Sequence, residues 1–233
     1  MGTKITTIGF DADDTLWHHE RFYQLTQAQF AKELADYTDA DTLAHRLLQA
    51  ERRNLGTYGF GVKGFVLSMI ETAIEVTNAK VPARVIQRLL ELGHDMLNHP
   101  IELLDGVEEC MAALTERYNL VLITKGDLLD QERKLAQSGL GDRFDEVEIL
   151  SHKNADAYRN IFAQHGRGAE HGLMVGNSMA SDVVPMVEAG GFGVYIPSGF
   201  DWELEAADAP MSERFFHINS LAVLPRVVDQ IQG

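Results

Sequence analysis

The segment F-D-A-D-D-T-L at residues 10–16 packs Asp11, Asp13 and Asp14 into four consecutive positions, with Thr15 immediately after. Carboxylates this close repel one another, by about 4 kcal/mol at ~4 Å in a surface-like dielectric, so a chain normally keeps them away from its core. A hard divalent cation held among oxygen ligands, Mg2+ above all, makes the arrangement worthwhile by cancelling their charge. A cation so placed also shields an anionic phosphoryl group and opens it to an anionic nucleophile.

Three other short apolar runs end in residues of similar character. Thr124, Lys125 and Asp127 follow N-L-V-L-I (119–123), Ser151, His152 and Lys153 follow V-E-I-L (147–150), and Asn177, Ser178, Ser181 and Asp182 follow L-M-V-G (173–176). In open α/β sheets ligands bind beyond the carboxyl ends of the strands, so these groups and the Asp11 cluster should gather at one edge. Each has an ordinary alternative. An Asp at a strand end forms turns, Thr124 could cap the helix behind it, a lone lysine is usually solvated, and Asp182 at a helix start suits the dipole. Their succession on four strands argues for a site.

The elements that must position them follow from hydrophobic patterning. Residues 4–10 read as a strand rich in β-branched side chains, and further strands are expected at 119–124, 147–150, 173–176 and 193–197, with a weaker one at 215–218. Helical patterns lie between them, at 105–117, 127–138, 155–165 and 180–189. That alternation predicts an α/β fold, a Rossmann-like doubly wound core with a mainly parallel sheet. From 18 to 99 the alternation stops, and four helical segments (20–37, 40–54, 63–77 and 82–97) carry apolar residues such as Leu43, Leu47, Leu89 and Leu90 at helical spacing. The expected organisation is a core of residues 1–17 and 100–233 interrupted by an all-helical insertion, 18–99.

Lys and Arg number 20 against 35 Asp and Glu, a net charge of −15, which sets the chain against a nucleic-acid polymer or an anionic membrane as main partner. Cys110 is the only cysteine, in a helical pattern that suits a buried structural thiol, so no intramolecular disulfide can form. No apolar run approaches the roughly 20 residues of a membrane helix, and the first residues lack a secretion-signal pattern. A soluble cytoplasmic protein is expected. G-F-G-V-K-G-F-V (59–66) matches glycine-rich nucleotide-loop patterns, but no strand precedes Gly59, so it reads as a loop between helices.

With these residues in view, the sequence resembles the haloacid dehalogenase-like superfamily, whose first motif is a strand followed by D-x-D-x-T. Residues 11–15, D-A-D-D-T, match it; Thr124 matches the second motif, Lys153 the third, and G-N-S-M-A-S-D (176–182) is similar to the fourth. The resemblance spans essentially the whole chain, with the helical insertion where the family places a C1-type cap. It implies a Mg2+-dependent phosphatase of small phosphorylated metabolites. Asp11 would be the nucleophile that forms an aspartyl-phosphate, and Asp13 the general acid and then base. Thr124 and Lys153 would hold phosphoryl oxygens, with Lys125 a further candidate. Mg2+ would be bound by Asp11, the backbone carbonyl of Asp13 and Asp182. Asp14 is expected to be a surface or loop-stabilising residue.

The departures from the family pattern are informative. Asn177 stands where relatives usually carry an acid, and its amide could ligate the metal or hold a metal-bound water. Lys125 stands where relatives often have Asn. Lys125 and Lys134 rival Lys153 for the third motif, Lys134 less well because it falls inside a helix. In the insertion, Arg53, Tyr58 and Lys63 are candidate contacts to the body of the substrate. A halide-releasing dehalogenase and a non-catalytic regulatory protein are the alternatives. A departing halide needs no proton, so Asp13 speaks against the first; the full set of site residues speaks against the second.

Overall fold

A computed structural model describes residues 4–199 and 202–233. The first strand, β1 (Thr7–Phe10), is buried along its whole length, as a strand covered on both faces must be. The chain then forms α1 (Glu20–Glu33), α2 (Ala40–Tyr58), α3 (Val62–Val76) and α4 (Ala83–Leu97). It continues through α5 (Val107–Leu114), β2 (Asn119–Lys125), α6 (Leu128–Ser138), β3 (Glu146–Leu150), α7 (Ala155–Gln164) and β4 (Gly172–Gly176). The last elements are α8 (Val184–Glu188), β5 (Phe192–Tyr195), β6 (Phe215–His217) and α9 (Leu224–Gln232).

The six strands form one parallel sheet in the order β3-β2-β1-β4-β5-β6. Order reverses at β1, which pairs with β2 on one side and β4 on the other, and such a switch point is where α/β sheets open a crevice. Phe10 is in register with both Leu122 and Val175, so Asp11, Thr124 and Asn177 leave the sheet at the same edge. This is the Rossmann-like core expected from the alternation.

Contacts divide the chain into two compact units: the residues up to His18 with Ile101–Lys125 and Gln131–Gly233, and His19–Pro100 with Gly126–Asp130. In the α/β unit, alternate residues of β2 face opposite ways. Leu120 and Leu122 pack with Ile8, Phe10, Trp17 and Val175, whereas Val121 and Ile123 pack with Tyr158, Phe162 and Met174. The helical unit has its own core around Phe30, Leu43, Leu47, Phe65, Met69 and Leu89.

The helices expected at 20–37 and 105–117 are shorter, Glu20–Glu33 and Val107–Leu114, and three further details differ from the sequence expectation. The chain ends in a helix, α9, whose Leu224, Val227 and Val228 are buried. The pattern at 180–189 is divided between a π-type turn, Met179–Val183, and the short α8; Val183 N–H reaches back five residues to the Ser178 carbonyl at 3.3 Å. Pro185, in the first turn of α8, has no N–H of its own to give. Finally, α2 runs on to Tyr58 and stops where Gly59 turns to φ +74°, a conformation that favours glycine.

Candidate active site

Asp11 extends β1 by one bond, its N–H donating to the Val175 carbonyl at 2.9 Å, and its side chain is almost wholly buried. The ammonium of Lys153, carried by the turn between β3 and α7, donates to Asp11 Oδ1 at 2.5 Å and to Asp182 Oδ1 at 2.6 Å. Thr15 Oγ1 donates to Asp11 Oδ2 at 3.2 Å, and Ser178 N–H donates to Asp182 Oδ2 at 2.9 Å. Burial pushes the Asp11 carboxyl up to about 7, against the pull of Lys153. Burial would also lower the Lys153 ammonium, but Asp11 and Asp182 outweigh it and hold Lys153 above its ordinary value. Lys153 is therefore a charged bridge between two carboxylates, and not a solvated surface residue.

Asp13 has separate partners. Lys134 Nζ lies 3.0 Å from Oδ1 and 2.9 Å from Oδ2, Trp17 Nε1 donates to Oδ1 at 2.7 Å, and Gln131 Nε2 donates to Oδ2 at 2.9 Å. Lys134 is 4% exposed, so this is a nearly dry contact. Gln131 also donates to the Lys125 carbonyl at 2.8 Å, which ties α6 to the end of β2. Between Asp13 and Trp17 the chain turns tightly, Asp14 taking φ +57° and donating its N–H to the Trp17 carbonyl at 2.8 Å. Asp14 is thus buried within a loop it stabilises, which corrects the surface reading. Lys134, a poor candidate in the sequence because it lies inside a helix, meets Asp13 because Gln131 and Lys134 are three apart on α6 and share a face.

The G-N-S-M-A-S-D loop follows β4. A side chain on Gly176 would place Cβ 2.1 Å from Asp182 Oδ2, so glycine is needed for the loop to fold back on itself. The outer end of the Asn177 side chain lies 3.3 Å from Asp11 Oδ2, 3.1 Å from the Asp13 carbonyl and 3.3 Å from Thr15 Oγ1. Which amide atom faces inward is decided by its partners. With nitrogen inward, all three lie within reach of its two N–H donors. With oxygen inward, three hard oxygens converge, a donor set suited to Mg2+. Among the described residues no group of three or more His, Cys, Asp and Glu side chains is placed to hold a metal.

Two further observations concern the strand ends. Thr124 is buried, and its hydroxyl points to the Lys125 carbonyl at 3.4 Å. The Lys125 ammonium donates to Ser181 Oγ at 2.7 Å and pairs with Glu205, which also accepts from the hydroxyls of Ser178 and Ser181. Burial alone would raise Glu205, but Lys125 and the two hydroxyls prevail and hold it below its ordinary value. Sequence reasoning misses Glu205. It arrives from the loop after β5, and its only trace in the sequence is the unexplained cation at Lys125.

The remaining sequence candidates have partners inside the helical unit. Tyr58 hydroxyl donates to Glu71 at 2.9 Å, Lys63 pairs with Asp127 at 2.8 Å, and Arg53 lies 3.9 Å from Glu75. Cys110 is buried, and burial pushes its thiol up to about 12, so it is a structural residue.

The parallel sheet in this order thus carries an acid at the end of its central strand, bridged by lysine to an acid after β4. A family model described as haloacid dehalogenase-like hydrolase matches residues 5–190, and the chain belongs to that family. The crystal structure of a haloacid dehalogenase-like family hydrolase from Xanthomonas campestris is 41% identical, with a TM-score of 0.88 over 98% of this chain and 92% of that one. YfnB of Bacillus subtilis, bound to magnesium, shares the fold at 16% identity and a TM-score of 0.67, over 97% of this chain and 99% of that one. So does an L-2-haloacid dehalogenase from Xanthobacter autotrophicus, at 18% identity and 0.67 over 97% and 98%. A search of curated proteins finds no match. No helix among the described residues is long and apolar enough to cross a membrane.

Proposed function

We propose that this hydrolase is a phosphatase of small phosphorylated metabolites in which Asp11 is the nucleophile. One observation carries the reading: a second carboxyl group, Asp13, stands two residues from Asp11 and keeps part of its side chain, 20%, open to solvent. Displacement of halide requires one carboxylate and no acid, whereas an alkoxide leaving from phosphorus needs a proton. In the first half-reaction an Asp11 oxygen bonds to phosphorus as the ester P–O bond breaks, and the departing oxygen takes a proton from the Asp13 carboxyl. In the second, Asp13 accepts a proton from water as that water displaces Asp11 and releases phosphate. Lys153 and Thr124 stabilise the charge on the phosphoryl oxygens. Mg2+ suits the oxygens of Asp11, the Asp13 carbonyl, Asp182 and Asn177, and when bound it would neutralise phosphoryl charge.

The second reading, dehalogenase, draws support from Asp13 as well, because its two oxygens already accept four hydrogen bonds and an enzyme that needs no acid would tolerate that. One paired assay decides between them. Phosphate release from p-nitrophenyl phosphate with Mg2+, and none in chelator, is the expected result. Halide release from 2-chloropropionate with no phosphate-ester hydrolysis would reverse the assignment.

A further inference from the structure

The ion pair of Lys125 and Glu205 has no role in the reaction as described, yet it adjoins the reacting groups. Lys125 follows Thr124 at the end of β2, and its side chain is 13% exposed; that of Glu205 is 18% exposed. Ser181, which both residues contact, precedes Asp182, and Asp182 shares the Lys153 ammonium with Asp11. The buried Tyr158 hydroxyl donates to the Ser181 carbonyl at 2.9 Å and so holds the backbone of the residue that Lys125 and Glu205 both contact.

Elementary electrostatics makes a buried pair a poor choice for simple adhesion. Two charges leave water, and apolar or neutral groups of the same shape would serve the fold as well or better. A lysine at a phosphate site has a different requirement. Its charge is useful when an anion is bound, but without the anion a buried ammonium needs a counter-charge. Glu205 meets that need from a position that can be given up. It sits in a single 3-10 turn, Glu203–Glu205, followed by exposed residues 206–209, and three side-chain bonds, to Lys125, Ser178 and Ser181, hold its carboxylate.

We propose that Lys125 is an anion-binding residue of the active site and that Glu205 is its internal competitor, occupying the ammonium until a phosphoryl or phosphate oxyanion replaces it. Glu205 thereby sets how tightly the enzyme holds phosphate, its own product. The inference rests on the phosphatase reading for its biological meaning, but its test uses binding alone.

The probe is inorganic phosphate, measured by calorimetry with the full-length protein in Mg2+. Glu205→Gln keeps the shape and the serine contacts while removing the charge, and should bind phosphate about tenfold more tightly or better, the scale of one additional charge-assisted hydrogen bond. Adding Lys125→Gln to that variant should abolish the improvement. Lys125→Gln alone should weaken phosphate binding by a similar factor, and this arm stands even if the Glu205 variant fails to fold. A cooperatively folding Glu205→Gln protein with wild-type affinity, or a Lys125→Gln protein with undiminished affinity, overturns the proposal. Hydrolysis of p-nitrophenyl phosphate by the wild type is scored separately. Turnover with unaltered phosphate binding in the variants overturns this proposal and leaves the phosphatase reading standing; altered binding without any turnover refutes the phosphatase reading and leaves the anion site standing.

Discussion

Lys134 Nζ is 3.0 Å from one carboxylate oxygen of Asp13 and 2.9 Å from the other, so a single buried ammonium spans the whole carboxylate. The contact joins residues 121 positions apart in the chain and anchors α6 to the turn after β1.

Lys134→Met should therefore cost stability as a broken charge pair, not as a lost packing residue. Asp13 retains some exposure, 20% of its side chain, which puts the loss at about 2–4 kcal/mol, at or just below the range for a buried pair deprived of one partner. Urea denaturation of the single variants and of Asp13→Asn with Lys134→Met measures the coupling directly. The double variant should recover part of the loss, and strictly additive effects would show that the two groups do not depend on each other.

Asp11 should be a residue that weakens the metal-free fold. Its folded carboxyl is pushed from 3.8 to about 7, chiefly by burial. An acid with a raised folded pKa makes the native state bind more protons than the unfolded one, so stability falls as pH rises from about 4 to 7 and stays low above that. In chelator, Asp11→Asn should melt at a higher temperature than the wild type at pH 8, with the difference shrinking toward pH 4. The same variant should lose more than about a thousandfold in phosphatase rate. A pH-independent difference in melting temperature would contradict the burial argument.

Asn177→Asp should reverse the balance between the metal-free and metal-bound protein. In chelator a third acceptor-only group would face Asp11 Oδ2 and the Asp13 carbonyl at 3.1–3.3 Å with no N–H to give, so the variant should melt below the wild type. Mg2+ should then raise its melting temperature by more than it raises that of the wild type. Equal Mg2+ responses would place position 177 outside the reach of the cation.

In the helical unit, Glu51 on α2 is raised from 4.5 to about 7 by burial. With the same sign as Asp11, its cost appears as pH rises through that interval and is complete above it. Glu51→Gln should be more stable than the wild type by about 1–2 kcal/mol at pH 8, after discounting for partial exposure, and no more stable at pH 4. Denaturant melts at the two pH values check this.

The parts of the site legible in the sequence are those tied to a strand end. Asp11, Thr124, Lys153, Asn177 and Asp182 each follow a recognisable apolar run, and in a parallel sheet that is enough to place them at one edge. Lys134 is easily misjudged because a lysine inside a helix looks solvated until the neighbour of its face is known, and that neighbour comes from the turn after the first strand. Glu205 depends on the path of the chain after β5, which no local pattern specifies. The closing helix is a different case. Leu224, Val227, Val228 and Ile231 recur at helical spacing, so α9 is readable, and Pro225 near its start marks a helix beginning rather than a break.

The carboxylates of Asp11, Asp13, Asp182 and Glu205 are matched to three lysines, at positions 125, 134 and 153, that arrive on separate segments. Such matching restricts how descendants of this chain can vary. A lone change at Lys134 leaves the Asp13 carboxylate without its counter-charge, whereas Lys153 keeps one carboxylate when either Asp11 or Asp182 is replaced. Replacement of Lys134 should accordingly be tolerated only together with a change at Asp13, whereas the shared Lys153 cluster gives its two carboxylates more room to vary singly.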